Sequence, residues 1–419
     1  MKNDEPQAQT ASWQPRILAF VCRWCTYAGA DLAGTSRLKY PPQIRIVKLP
    51  CSGRIDPLFL LRGFQMGADG ILVSGCHPGD CHYTSGNYYA RRRWILFREL
   101  LDFVGLEPER LHFSWVSAAE GAKFVDIVKM VTDAVRLVGP FPGFASPADR
   151  RIVAPATVPS ATRGEARPPS NPELLRADLA QGSVRAVLGY RTGRRPGSLR
   201  PTWASSPDEL AGLRFAAGAQ PLLVTYLLRR LREEPDAICG ILAGPKELEA
   251  IDILTADHQI DPARVRMYRQ DGEAAAPQGG EPWERYGVPG PDRPPRERWD
   301  FWTAQFSRCL RCNACREGCP LCACLRCVTD KTRPRWIDAS PTPAGNWLWN
   351  VTRAFHQAGR CIDCGGCTEA CPAGIPLGAL NLAMARAADR AFGPRAVGET
   401  GRRSPLLAYR GEDQAPFIM

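Results

Sequence analysis

The chain has 419 residues, a formal net charge of +11 at pH 7 and 17 cysteines. A chain this long buries sizeable cores without covalent staples, which argues against a disulfide scaffold and for two or three domains. Its start, MKNDEPQAQTASWQPR, lacks the apolar stretch of a signal peptide, and no apolar run approaches a membrane span, so a cytoplasmic protein without membrane insertion is expected.

Beyond a polar tail over 1–15, short apolar runs alternate with amphipathic stretches up to residue 139. RILAFVC (16–22), IRIVKLPC (44–51), GADGILVSGC (67–76) and LHFSWVS (111–117) read as buried strands. Between and after them LFLLRGFQMG, RRRWILFRELLDFVGL and SAAEGAKFVDIVKMVTDAVRLVG read as helices, the last with Ser117 as its cap. This is the rhythm of an open parallel α/β sheet. A linker rich in Pro, Ala, Ser and Arg is expected over 140–170. Asn171 and Pro172 then form an N-cap and N1 pair that opens a middle α/β domain over 171–273. It contains the strands SVRAVLGYRT and AICGILAG and the helices PLLVTYLLRRLREE and PKELEAIDILTADHQ. A second linker over 274–299 precedes a helical domain over 300–390, and a tail follows over 391–419.

That helical domain carries the most specific signal. Cys309, Cys312, Cys315 and Cys319 precede Pro320, and Cys361, Cys364, Cys367 and Cys371 precede Pro372, so Cys-x2-Cys-x2-Cys-x3-Cys-Pro is written twice. This is the bacterial ferredoxin spacing, in which the fourth cysteine ligates the other cluster. Two 4Fe-4S clusters are expected, one on Cys309, Cys312, Cys315 and Cys371, the other on Cys361, Cys364, Cys367 and Cys319. A zinc-binding assembly module is the competing reading, but zinc closes with paired cysteines and has no use for a third at even spacing. Trp347 and Trp349, in a helix that should end at Gly359 between the two motifs, are expected as core that shields the clusters.

A third group lies in the first domain. Cys22 and Cys25 follow the first strand, Cys51 the second, and Cys76 and Cys81 the third. In an open parallel sheet the carboxyl ends of strands converge on the ligand-binding edge, so these five thiols offer one centre. Cys51, Cys76 and Cys81 with either Cys22 or Cys25 is the expected ligand set. His77 and His82 add a Rieske-like alternative, against which stands their direct adjacency to Cys76 and Cys81.

The run FVCRWCTYAGADLAGTSRLKYPPQIRIVKLPCSGRIDP, continued by GADGILVSGCHPGDCHYTSGN and WVSAAEGAKF, resembles the delta subunit of methyl-viologen-reducing hydrogenase over nearly all of 16–139. The resemblance implies a 2Fe-2S cluster and docking on a heterodisulfide-reductase-like flavoprotein subunit. CLRCNACREGCPLCACLRC, TRPRW and AFHQAGRCIDCGGCTEACPAGIPL, within 172–385, look like the iron-sulfur beta subunit of formate dehydrogenases and deazaflavin-linked hydrogenases. Such relatives often carry flavin. Residues 172–273 contain no Gly-rich phosphate loop, so FAD stays a secondary reading.

Four cysteines remain. Cys239, in AICGILAG, reads as a buried free thiol. Cys322, Cys324 and Cys327 follow Cys319 and offer a further centre, but Cys319 is committed and no fourth cysteine stands nearby. Each four-thiolate centre carries about −2, so three of them lower the net charge to about +5, and the rest is scattered arginine; nucleic acid is not an expected partner. With no acid-base pair and no nucleophile dyad in view, the sequence reads as an electron-transfer subunit between a hydrogenase or formate dehydrogenase and a heterodisulfide-reductase-like flavoprotein, with no substrate-converting site of its own. The enzyme alternative is a flavoprotein subunit that oxidises a reduced nicotinamide or deazaflavin.

Overall fold

The computed structural model describes residues 13–144, 165–195, 197–270, 280–394 and 404–415. Most of the tail expected over 1–15, the linker interior at 145–164, residues 274–279 of the second linker and much of the C-terminal tail lie outside these ranges. The chain divides into two compact units. Unit one takes 1–91, 107–143 and 414–419, and unit two takes 92–106 and 144–413.

Unit one is built on four parallel strands, β1 (Ile17–Cys22), β2 (Ile44–Leu49), β3 (Gly70–Gly75) and β4 (Leu111–Trp115), in the order β2-β1-β3-β4. The sequence runs outward from β1 to β2 and then crosses back to β3. Loops leaving β1 and β3 therefore diverge, and such a switch point opens a crevice at the carboxyl ends of the strands. Strands β3 and β4 are buried at every residue, as strands of a parallel sheet covered on both faces are. The edge strand β2 instead exposes Arg45 and Lys48, charges that discourage further pairing.

Helices α1 (Thr26–Thr35), α2 (Pro57–Gln65) and α4 (Gly121–Val138) cover the sheet, and α3 (Gly86–Phe103) starts in unit one and is counted in unit two from Arg92 onward. Ile17, Val21 and Leu72 of the sheet share a core with Phe124, Val128 and Val131 of α4. The cap expected at Ser117 is a correction. Helix α4 begins at Gly121 with Glu120 in the cap position, and the Ser117 backbone N–H donates to Glu120 Oε2 at 2.6 Å. The carboxylate closes the 117–120 turn, and the helix starts after it.

Unit two holds a second sheet of β5 (Ala186–Thr192), β6 (Leu199–Ala204), β7 (Cys239–Ala243) and β8 (Val265–Arg269), in the order β6-β5-β7-β8 with β6 antiparallel. Helices α5 (Pro172–Ala180), α6 (Leu223–Glu233) and α7 (Pro245–Ala256) accompany it. Asn171 caps α5, its side chain accepting from Leu174 N, with Pro172 at N1. Cys239 is fully buried in β7. Within 274–299 the chain forms α8 (Pro282–Tyr286) and starts α9 (Pro295–Ser307).

The remainder of unit two is helical: α10 (Ala314–Glu317), α11 (Pro343–His356), α12 (Gly366–Glu369) and α13 (Leu377–Phe392). Trp347 and Trp349 of α11 are buried. The Trp347 ring stacks on Trp299 at 4.2 Å and meets Phe306 edge-on, while its indole N–H donates to Thr303 Oγ1 at 3.1 Å. Among the described residues no helix is long and apolar enough to cross a membrane.

Candidate metal centres

In unit one the crevice gathers all five expected thiols. Cys22 ends β1, Cys25 stands at the cap of α1, Cys51 follows β2, and Cys76 and Cys81 follow β3. Cys22, Cys51, Cys76 and Cys81 form one buried group, against which the half-buried Cys25 packs. Cys51 Sγ lies 3.8 Å from Cys81 Sγ and accepts from Gly53 N at 3.4 Å. Asn87 ties the loop down, its Nδ2 donating to the carbonyls of Cys76 and His77.

Electrostatics within the group are those of thiols sharing protons. A hydrogen bond from Cys76, helped by backbone N–H groups, lowers Cys22 to about 6 and raises Cys76, while burial pushes Cys51 up to about 11. Metal binding would remove these protons, since thiolates are the ligands. The crevice fits a compact sulfur-bound group closely. A Cβ on Gly86, which opens α3, would lie 2.3 Å from Cys51 Sγ and 3.3 Å from Cys81 Sγ. Only glycine lets that backbone close over the sulfurs.

Both histidines of the loop are engaged elsewhere. His77 Nε2 lies 2.7 Å from Glu120 Oε2, and this contact, after the Ser117 N–H, holds the Glu120 carboxyl down at about 2. The His82 ring stacks on Trp24 at 3.8 Å. These contacts give the two rings positioning roles in the loop.

In unit two the duplicated motif repeats its backbone as well as its spacing. Arg311 and Asp363, two residues past the first cysteine of each motif, have positive φ, as do Asn313 and Gly365 two residues further on. Left-handed residues at matching positions bend both loops alike. In each, the N–H of the second residue after the first cysteine points to its sulfur: Arg311 N to Cys309, and Asp363 N to Cys361 Sγ at 3.4 Å. Short helices α10 and α12 then cross at small residues. A Cβ on Gly318 would stand 3.7 Å from Gly366 O, and one on Gly366 3.3 Å from Gly318 O.

That crossing carries the fourth cysteine of each motif toward the other. Cys309, Cys312, Cys315 and Cys371 line one small cavity, with Trp349, Asn350 and Pro372 among its walls. Cys361, Cys364 and Cys367 are mutual electrostatic neighbours, and Cys319 has Cys364 among its own. Cys319 and Cys364 both pack against the core of the second sheet. Cys319 also donates to Cys322, which lowers Cys322 to about 6 and raises Cys319.

Around the sulfurs are groups that sequence reasoning missed. Asn381 Nδ2 donates to Cys367 Sγ at 3.3 Å, and Gln357 Nε2 to Cys322 Sγ at 3.2 Å. Arg353, almost fully buried, donates to Cys315 O at 2.8 Å and is kept protonated by Cys322, Cys319, Cys315 and Cys367 against the cost of its burial. Lys246 of α7 bonds Ile362 O beside the second motif. A buried guanidinium and an ammonium beside eight thiols fit a bound group of net negative charge, as thiolate-ligated clusters are. The signal was present in α11, where an arginine interrupts a helix otherwise read as aromatic core.

Residues 17–139 match the family described as methyl-viologen-reducing hydrogenase, delta subunit, and residues 305–375 match a 4Fe-4S dicluster domain. The first stretch is similar to the vhc iron-sulfur subunit of the F420-non-reducing hydrogenase of Methanococcus voltae, 50% identical over 129 residues, covering 31% of this chain and 90% of that one. The corresponding iron-sulfur protein of the Archaeoglobus profundus F420-non-reducing hydrogenase is 47% identical over 129 residues, with 31% and 94% covered. One chain of the ferredoxin/F(420)H(2)-dependent CoB-CoM heterodisulfide reductase of Methanosarcina acetivorans is 44% identical over 126 residues, which are 30% of this chain and 16% of that one.

Proposed function

Because the chain belongs, through residues 17–139, to the family of the methyl-viologen-reducing hydrogenase delta subunit, we propose that it is an iron-sulfur electron-transfer subunit that links a hydrogenase or formate dehydrogenase module to a heterodisulfide-reductase-like flavoprotein. Unit one would hold a 2Fe-2S cluster on Cys51, Cys76, Cys81 and one of Cys22 and Cys25. Unit two would hold two 4Fe-4S clusters with the fourth cysteines exchanged. The observation that carries this reading is the grouping of thirteen free thiols at three places, each group walled by core and supplied with hydrogen-bond donors. Bound clusters supply one-electron oxidation and reduction without rearranging the bonds of a substrate.

The chain's own residues set how easily each cluster is reduced. Donors to sulfur stabilise the more negative, reduced form, while burial opposes it. Asn381→Leu removes the donor to Cys367, so the potential of the cluster on the Cys361 group is expected to fall. A bond worth about 1 kcal/mol more in the reduced state corresponds to about 40 mV for one electron, readable in a redox titration followed by electron paramagnetic resonance. An unchanged potential would remove Asn381 from the account.

The partner side is tested on the complex isolated intact and without air. A flavin-containing subunit should remain with the chain, and flavin reduction through the hydrogenase or formate dehydrogenase module should be lost in Cys51→Ser. Reduction that survives this change would contradict the relay.

A further inference from the structure

The segment from Cys322 to Cys327 is assigned nothing by the two ferredoxin-like groups, yet it presents three thiols within six residues to one cavity of about 440 Å³. Arg232, Arg316 and Arg353 also line it. Cys324 is exposed, Cys322 and Cys327 are half-buried, and all three are free. Cys239 shows what a structural thiol looks like in this chain, fully buried in a strand among apolar side chains. The trio is the opposite case: thiols that line an open cavity together with arginine and carboxylate side chains.

Two further features of the cavity point to an anionic occupant. Gln357, 3% exposed, already directs Nε2 at Cys322 Sγ, and the Thr329 hydroxyl lies 3.0 Å from Cys327 Sγ. Arg353, 7% exposed, lines the cavity but leaves Nε with no hydrogen-bond partner among the described residues. A buried donor left unsatisfied is costly until an acceptor stands beside it. A thiolate-bound iron-sulfur cluster brings both the charge and the acceptor sulfurs.

We propose that Cys322, Cys324 and Cys327 bind an additional 4Fe-4S cluster through three thiolates, with its fourth corner turned to the cavity. Cys319 stays with Cys361, Cys364 and Cys367, as the ferredoxin spacing expects. The fourth corner is thus left to an oxygen or nitrogen donor; the cavity wall carries His356 and the carboxylates of Glu317 and Asp330, both ion-paired with Arg316. The inference leans on the cluster reading of the neighbouring motifs only for this allotment of Cys319.

The test uses the full chain, prepared without air and reconstituted with ferrous iron and sulfide, beside the Cys324→Ser/Cys327→Ser double variant. The variant should lose about four irons and about four sulfides per chain while the paramagnetic signals of the other clusters persist. Equal iron and sulfide in both proteins, or the loss of a zinc ion in place of iron, overturns the proposal. Should the variant fold poorly, the unaltered chain decides by alkylation. The exposed Cys324 should be protected in the loaded protein and labelled once a chelator has stripped it, and equal labelling in both states overturns the proposal. Failure here with intact signals from the other groups leaves the electron-transfer reading standing, whereas a chain holding no iron at all sinks both.

Discussion

Changing Cys371 to alanine is expected to cost the cluster on Cys309, Cys312 and Cys315, whose sequence positions lie more than fifty residues upstream, and to spare the cluster on its near neighbours Cys361, Cys364 and Cys367. The loss should amount to about four irons and about four sulfides per chain. Cys371 shares a cavity with the distant trio because α10 and α12 cross at Gly318 and Gly366. Pairs of substitutions identify which cluster has gone. Adding Cys312→Ala to Cys371→Ala should remove no further iron, because both act on one cluster, whereas adding Cys364→Ala should bring the loss to about eight. The opposite pattern would mean that each motif closes on its own fourth cysteine.

Gly86→Val should empty the centre of unit one alone. The new Cβ would meet Cys51 Sγ at 2.3 Å, well inside van der Waals contact, and Cys81 Sγ at 3.3 Å. Relief by moving the backbone is blocked, since a Cβ on Gly53 would already lie 2.7 Å from Gly86 O, which shows how closely the two chains pass. Overpacking of this kind costs about 1–3 kcal/mol in a well-packed site, and here it falls on two candidate ligands at once. Iron should drop by about two per chain while the signals of the unit-two clusters remain. Gly34→Ala, at a position with nothing within 4 Å of the added Cβ, is the control and should keep full iron. Full iron in Gly86→Val would show that the sulfurs of Cys51 and Cys81 are not held as the structure has them.

Much of this architecture was legible in the sequence, for reasons specific to each element. The runs at 16–22 and 67–76 read as strands because a covered parallel sheet needs unbroken apolar runs, and the cysteines that close these runs then converge by topology. The proposed exchange of fourth cysteines was read from the x3 step and the proline, and Cys371 lines one cavity with Cys309, Cys312 and Cys315. Helix α1 was not, since TYAGADLAGT has no apolar stripe. It packs through small residues, with a Cβ on Gly29 falling 2.8 Å from Ser117 O. Strand β6 was hidden by the arginines and proline of GRRPGSLRP, which an edge strand tolerates. The roles of Arg353, Gln357 and Asn381 depend on which face of α11 or α13 meets sulfur, and helical periodicity marks all those faces simply as buried.

The central claim, that sulfur at separate stations holds iron for electron transfer, is tested most directly by iron, sulfide and zinc analysis of the full chain prepared without air, with electron paramagnetic resonance on the reduced sample. The account predicts about ten irons for the three stations, or about fourteen with the loop of Cys322, Cys324 and Cys327 loaded, matched by sulfide and by signals of reduced clusters. Protein that comes out colourless and silent, with zinc in place of iron, would contradict it.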